Sequence, residues 1–338
     1  MLFIPHKHLY ISGTSYVSAD EPDYKEVITD ANLRRRMGRL LKMAVWCGLK
    51  SLDGVPSEMV AGIITSTGAG FMKDTISFGS SIFDREETLL NPSPFMQSTF
   101  NTASGYIALI RKIHAYNTTY VQQADGFAAS LVDAAMLLDD AGEGNVALVG
   151  AFDEVTLEVD VIRQRLGLYR VGDGLLPLGE GAAAFLLSAA MPTDVSESCR
   201  ATEMSAVPGG GDGSESGSVR DGDEFGSESS SDPLHEYGGT ASRSLIGTKD
   251  DNADLRFCGL ANLSDLPKCA ANPIAELFGI NAGVNVISCA DHVESLGAFR
   301  SMLPVLLCKL ISEQKIPDGY TAIMDDVNED GVIVLLHK

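Results

Sequence analysis

The sequence has 338 residues, 45% of them hydrophobic, and carries 46 acidic against 25 basic residues, a formal net charge of −21. That is enough apolar material for one large core or two fused halves. The acidity excludes nucleic acid as a partner, because binding it takes a cationic surface.

The opening Met1-Leu2-Phe3-Ile4-Pro5 is too short for a secretory hydrophobic region. The first predicted strand is Leu9 to Val17, β-branched and aromatic. Asn32 to Leu52 carries Leu33, Met37, Leu40, Leu41, Ala44, Val45 and Leu49 in a helical stripe. Val60 to Thr67 reads as a buried strand ending at the turn Gly68-Ala69-Gly70, and Asn91-Pro92-Ser93-Pro94 as a chain break. A helix is predicted over Phe100 to His114, a strand over Tyr116 to Val121, and a helix over Ala124 to Leu138. Val146 to Gly150 and Gly181 to Ala190 are predicted buried strands, with Glu154, Glu158 and Asp160 in a solvated loop between them.

Gly209 to Asp232 consists mainly of Gly, Ser, Asp and Glu and is expected to be a disordered linker, since it has too little apolar surface to offset its ordering entropy. Strands resume at Leu255 to Gly259 and Val284 to Ser288. A helix follows through Leu296, Phe299, Leu303, Leu306 and Leu310, where Pro304 is a candidate kink. Two last strands, Thr321 to Asp325 and Gly331 to Leu336, close the chain. Alternating strands and helices argue an α/β protein. The expected division is 1–191, a linker over 192–254, and 255–338, so any internal duplication is lopsided. No apolar run reaches the ~18 residues a membrane span needs, and a cytoplasmic location is expected. The cysteines Cys47, Cys199, Cys258, Cys269, Cys289 and Cys308 form no CxxC pair and do not cluster with histidines, so neither metal, disulfide nor cofactor is expected.

Gly179-Glu180-Gly181-Ala182, which leads into a predicted strand, resembles the motif before the last strand of the N-terminal half in the ketoacyl-synthase branch of the thiolase superfamily. Ser93 to Thr99 with Asn101 and Gly105 resembles the stretch before the family's nucleophile, and Asn117 to Gly150 continues it without gaps. In the family a reactive cysteine opens a buried helix, and counting back from Gly142 and Gly150 puts Asp125 in its place, within Gln122-Gln123-Ala124-Asp125-Gly126-Phe127. Asp291-His292 with Gly297 and Ala298 resembles the motif of the second family histidine. The lysine upstream of it is missing, and no histidine stands near Cys258 to Asn262, where the first is expected. Arg34 to Gly38 and Thr67 to Phe71 are similar to synthase-like proteins of chain-length-factor type from bacterial aryl-polyene and related pathways.

The resemblance implies a five-layered αβαβα thiolase fold with two pseudo-repeated halves, the second short. It also implies a dimer made through the N-terminal half and an acyl carrier protein as substrate donor. A thiolate at a helix N-terminus is stabilised by the dipole and free N–H groups. Aspartate keeps the charge and can cap the helix but is a poor acyl acceptor. The leading expectation is a non-condensing partner of a ketoacyl synthase in fatty-acid or polyketide-type biosynthesis. The alternatives are an altered acyltransferase, decarboxylase or synthase using Asp125 and His292, and a dimer scaffold without activity. Gln123 and Phe127 beside Asp125, Ser104 on the preceding helix, and Gly179, Glu180 and Gly181 are expected to line a substrate tunnel or serve the scaffold. Arg34, Arg35 and Arg36 are either a solvated helix start or a contact for an acidic carrier.

Overall fold

A computed structural model describes residues 2–122, 125–167, 170–171, 174–190, 254–328 and 331–338. Gln123 and the acidic Gly/Ser segment therefore lie outside the described residues. The elements are β1 (Leu9–Val17), α1 (Ala31–Arg36), α2 (Arg39–Ser51), β2 (Val60–Ser66), α3 (Met72–Asp84), α4 (Pro92–Gln97), α5 (Thr102–Arg111), β3 (Tyr116–Tyr120), α6 (Asp125–Ala141), β4 (Val146–Asp153), α7 (Leu157–Leu166), the short strands β5 (Arg170–Val171) and β6 (Gly174–Leu175), and β7 (Gly181–Ser188). The second half holds β8 (Arg256–Asn262), α8 (Pro273–Phe278), β9 (Val284–Ser288), α9 (Val293–Leu296), α10 (Met302–Ser312), β10 (Tyr320–Met324) and β11 (Val332–His337).

Nine strands are hydrogen-bonded in the order β3-β2-β4-β7-β1-β8-β11-β10-β9. The two ends repeat one pattern. β2 is parallel to β4, β4 antiparallel to β7, and β7 antiparallel to β1. Likewise β9 is parallel to β10, β10 antiparallel to β11, and β11 antiparallel to β8. The counterpart of β3 is missing among the described residues of the second half, which is the lopsidedness expected from its length. The half-sheets pair along β1 and β8 through Leu9 with Phe257 and Tyr10 with Arg256, extended by the Ile11 N–H donating to Leu255 O at 3.0 Å and by the bridge between Phe3 and Leu260.

Side-chain alternation along each strand sets the layers. In β7, Ala183, Phe185 and Leu187 point into one core together with Ile64 of β2, Val149 of β4, and Val334 and Leu336 of β11. The helices in that core are α6, through Phe127, Leu131, Ala134 and Leu138, and α10, through Leu303, Leu306 and Leu310. The alternate residues Ala182, Ala184 and Leu186 face a second core with α2 and Ile107 of α5. On the far side, Ala261, Ile333 and Leu335 pack on Ile274 and Phe278 of α8. The order α2/α5, half-sheet, α6/α10, half-sheet, α8 is the five-layered αβαβα arrangement. Each fully buried Leu, Ile or Phe contributes about 1.5–3 kcal/mol to it.

Several elements differ from the sequence expectation. The helix read over Asn32 to Leu52 is two helices, separated where Gln97 Oε1 accepts the Gly38 N–H at 3.0 Å. Asn91 is not a chain break but the cap of α4, accepting from Ser93 N with Pro92 at the first helical position. The helix read through Leu296 to Leu310 is interrupted at Gly297, whose φ of +76° is left-handed. Pro304 does not kink α10, because it lies in the first turn, where its missing N–H is not needed.

Candidate functional site

Strand β4 is buried throughout and ends on Asp153, which is also buried. Its carboxylate accepts from Gly68 N at 2.9 Å, Ala69 N at 3.0 Å and Thr67 Oγ1 at 3.0 Å, all in the turn after β2. The hydroxyl of Ser301, the residue before α10, donates to it at 2.5 Å. Thr67 Oγ1 in turn accepts from Gly70 N at 2.8 Å, closing a turn in which Gly70 takes φ +69°. One carboxylate thus ties the ends of β2 and β4 to the second half. Burial raises its pKa, and the donors from Ser301, Ala69, Thr67 and Gly68 oppose that rise.

A second clasp lies beside it. A Cβ on Gly179 would stand 1.8 Å from the Leu296 carbonyl oxygen, and one on Gly297 would stand 2.2 Å from Gly179 N. The bare backbones pass against each other, with Ala298 N donating to Pro177 O at 2.7 Å. Both halves therefore present a wall to a shared cavity of about 410 Å³. Val155, Val159, Ile162 and Leu166 line it from the α7 side, and Leu178, Ala298 and Phe299 from the seam. Its ionic groups are Asp153, Glu154, Arg163 and Arg300. Glu154 accepts from Lys73 N at 2.8 Å, and Arg163 donates to Asp160 Oδ1 at 2.6 Å and to Leu176 O at 2.9 Å. Burial raises the pKa of Glu154.

The residues singled out by sequence sit on several elements. Asp125 is the first residue of α6 and is exposed, and Gly126 packs towards Ser66 at the end of β2. Phe127 is buried against Phe185, ring centroids 5.4 Å apart. Ser104 is buried in α5, donating to Asn101 O at 3.0 Å. His292 is half-buried after β9, its backbone N–H bonded to Cys289 O at 3.0 Å. Glu180 is half-buried, pairs with Arg39, and accepts from Val155 N at 3.4 Å, while Gly181 opens β7. None of Asp125, Phe127, Ser104 and His292 lines the seam cavity, whereas Gly179 shapes its wall through Gly297.

Three of the cysteines are ill placed for thiol chemistry. Cys47, Cys289 and Cys308 are buried, and burial raises all three thiols above their ordinary value, which disfavours the thiolate. Cys47 Sγ is hydrogen-bonded to Ala182 O and Cys308 Sγ to Ala184 O, as in structural thiols. No Cys, Ser or His lines the cavity among the described residues, and no group of His, Cys, Asp and Glu there is placed to hold a metal ion. What the seam offers is a shaped apolar space between two locked walls.

Asp153, Ser301 and α7 escaped the sequence reading. The signal for Asp153 was an acid ending an apolar strand. The segment read as a solvated acidic loop is in part the helix α7, with Glu158 and Asp160 in its first turn and Thr156 capping it.

The N-terminal half also presents an apolar outer surface. β3 is the sheet edge, with Tyr116 exposed. On α5, Leu109 is 68% exposed, and Phe83, Phe95, Met96 and Phe100 of the α3–α5 region are also exposed. No helix among the described residues is long and apolar enough to cross a membrane.

Comparison with known proteins agrees with this architecture. Residues 14–159 match the family described as beta-ketoacyl synthase, N-terminal domain. Among solved structures, the ishigamide ketosynthase/chain length factor is similar at TM-score 0.60 and 13% identity, over 98% of this chain and 99% of that one. A type II PKS acyl-carrier protein in complex with its ketosynthase bound to the hexaketide is similar at 0.60 and 14%, with the same coverage. A beta-ketoacyl synthase from Burkholderia phymatum gives 0.59 and 10%, again over 98% and 99%. At these identities the likeness is one of fold. No curated protein sequence matches the chain.

Proposed function

We propose that this ketoacyl-synthase-like chain of thiolase fold is a non-condensing, chain-length-factor-like subunit that pairs with an active ketoacyl synthase. The observation that carries the reading is α6: it keeps its place against β2 and β4 in the central layer, yet it opens on the exposed Asp125, and burial disfavours the thiolate at Cys47 and Cys308. Condensation by this family's chemistry needs a thiolate there. The edge strand β3 and the exposed Leu109, Phe95 and Phe100 support a dimer face on the N-terminal half.

An acyl carrier protein is the expected substrate donor, and the exposed Arg35 and Arg36 at the end of α1 suit its acidic surface. The two halves, 1–191 and 255–338, joined through 192–254, act as one scaffold, and the working location is the cytoplasm. Asp125 and His292 are assigned no catalytic step.

The test is co-purification from the native source, followed by assay of the chain alone and with its partner on malonyl- and acyl-carrier substrates. A co-purifying synthase with an intact cysteine, and condensation only with it present, supports the proposal. Condensation by the chain alone overturns it, as does thioester hydrolysis or decarboxylation that His292→Ala and Asp125→Asn abolish. Leu109→Asp sits on an exposed side chain, so the fold persists while the co-purifying partner is lost.

A further inference from the structure

A row of polar side chains crosses four adjacent strands. Tyr10 of β1 is paired with Arg256 of β8, Arg256 with His337 of β11, and His337 with Tyr320 of β10. The alternate residues Leu9, Phe257 and Leu336 point into the central core, so the row lies on the opposite face. Directly paired residues stand about 5 Å apart, so the Arg256 side chain rises between a tyrosine and a histidine. All four residues of the row are half-buried. His8, exposed just before β1, packs edge-on against Tyr10 with ring centroids 6.2 Å apart. His337 packs edge-on against Tyr320 at 4.6 Å. Two imidazoles, each held by a tyrosine ring, thus flank one guanidinium.

This cationic group lacks a counterion. The neighbouring Lys7 is paired with Asp139 at 3.2 Å and Lys338 with Asp318 at 3.5 Å. Arg256 has no carboxylate within ion-pair distance among the described residues, and its Nε is buried without a hydrogen-bond partner. A buried charged donor left without an acceptor costs about 1–3 kcal/mol or more, and such atoms mark places where a water or an ion belongs. Burial lowers the pKa of His8, and the charges of Arg256 and His337 lower it further, so the three groups share one neighbourhood. We propose that Arg256, His8 and His337 form a binding site for a phosphate dianion, free or carried as a monoester. The guanidinium offers forked N–H donors that match two oxygens of a tetrahedral oxyanion, and the imidazoles on either side donate to the others. The net charge of −21 repels anions at long range, so the ion is held by these contacts and not drawn in by the field of the whole protein. The row is level with the start of β4, because Tyr10 pairs with Ser188 and Ser188 with Val146. Asp153 ends that strand, ~23 Å further on at 3.3 Å per residue, so the site is separate from the seam cavity. It requires neither a synthase partner nor a carrier protein.

Isothermal titration calorimetry of the full-length chain with inorganic phosphate tests this, with chloride at equal ionic strength as the control. Saturable one-to-one binding to the parent is expected, with a loss of affinity of about tenfold or more in Arg256→Leu. His337→Gln and His8→Gln each remove a chargeable ring and are expected to weaken binding several-fold. His8 is exposed and precedes β1, so His8→Gln is expected to keep the parent's melting temperature and carries the test should Arg256→Leu not fold. Glycerol 3-phosphate, titrated in the same way, separates the two sources. Binding tighter than that of inorganic phosphate assigns the site to a phosphate ester, and equal or weaker binding assigns it to the free ion. Leu109→Asp, on the proposed dimer face, is expected to bind phosphate like the parent, so failure of this site and failure of the pairing are told apart. A response to phosphate no greater than that to chloride overturns the inference. Equal phosphate affinity in the parent and in folded Arg256→Leu or His8→Gln overturns it too.

Discussion

Asp325 ends β10's approach to the last turn with a side chain that is 1% exposed. Its Oδ2 accepts from Asn328 Nδ2, while Oδ1 has no hydrogen-bond partner among the described residues. Burial, with the neighbouring Asp326 adding to it, pushes the pKa from 3.8 to about 6. A carboxyl whose pKa is raised by folding contributes stability below its unfolded pKa, and that contribution is lost as pH rises through the folded value. With ~1.4 kcal/mol per pH unit, the loss amounts to about 3 kcal/mol by pH 8, roughly half of it between pH 5 and pH 8. Asp325→Asn cannot ionise and keeps an acceptor for Asn328. The variant is therefore expected to gain roughly 1–2 kcal/mol relative to the parent on going from pH 5 to pH 8, whatever its offset at pH 5. Urea unfolding of both proteins at the two pH values, followed by tryptophan fluorescence and far-ultraviolet circular dichroism, measures this directly. A stability difference between the proteins that stays constant across the two pH values would refute the reasoning.

The remaining predictions concern the seam and the opening of α6. Asp153→Ala leaves the Gly68 and Ala69 N–H groups and the Ser301 hydroxyl without their acceptor. It is expected to lower stability by roughly 3 kcal/mol, read as a fall in melting temperature, with Asp153→Asn losing less. Gly297→Ala adds a Cβ 2.2 Å from the Gly179 nitrogen at a left-handed φ, and a loss of about 3 kcal/mol or failure to accumulate as folded protein is expected on expression. Asp125→Cys restores a thiol at the α6 start but not the missing histidine motif. It is expected to leave condensation of malonyl- and acyl-carrier substrates undetectable while alkylation by iodoacetamide shows the thiol exposed.

The layering was legible because binary pattern and secondary structure agree in the buried elements. Val146 to Val149, Gly181 to Leu187 and the stripe Phe127, Leu131, Leu138 announce their partners by period. What escaped were elements whose pattern answers to something other than the core. The α7 stripe faces an open cavity and its arginine faces inward, so it read as a loop. Asn91-Pro92, read as a break, is a helix start, since one dipeptide serves both purposes. Asp153 and Ser301 lie 148 residues apart and share one hydrogen bond, a pairing no local signal can express. The family resemblance placed Asp125 on α6 but could not report its exposure or the position of His292 in the other half.

These seam contacts bear on how a duplicated fold can change its chemistry. The two half-sheets pair over a short stretch along β1 and β8, so their relative placement rests also on the shared core of α6 and α10 and on the two clasps. Those clasps use the Asp153 carboxylate, the Thr67 and Ser301 hydroxyls, the Gly68, Ala69 and Ala298 N–H groups and two bare glycines, all of them engaged in holding the turns together. Replacing a thiol at the start of α6 leaves that machinery in place. Any ligand that occupies the cavity between the walls would stabilise the fold in proportion to the logarithm of its excess over its dissociation constant. A ligand that binds there should raise the melting temperature of the parent protein and leave Ile162→Asp unmoved. One that raises both equally would place its binding elsewhere.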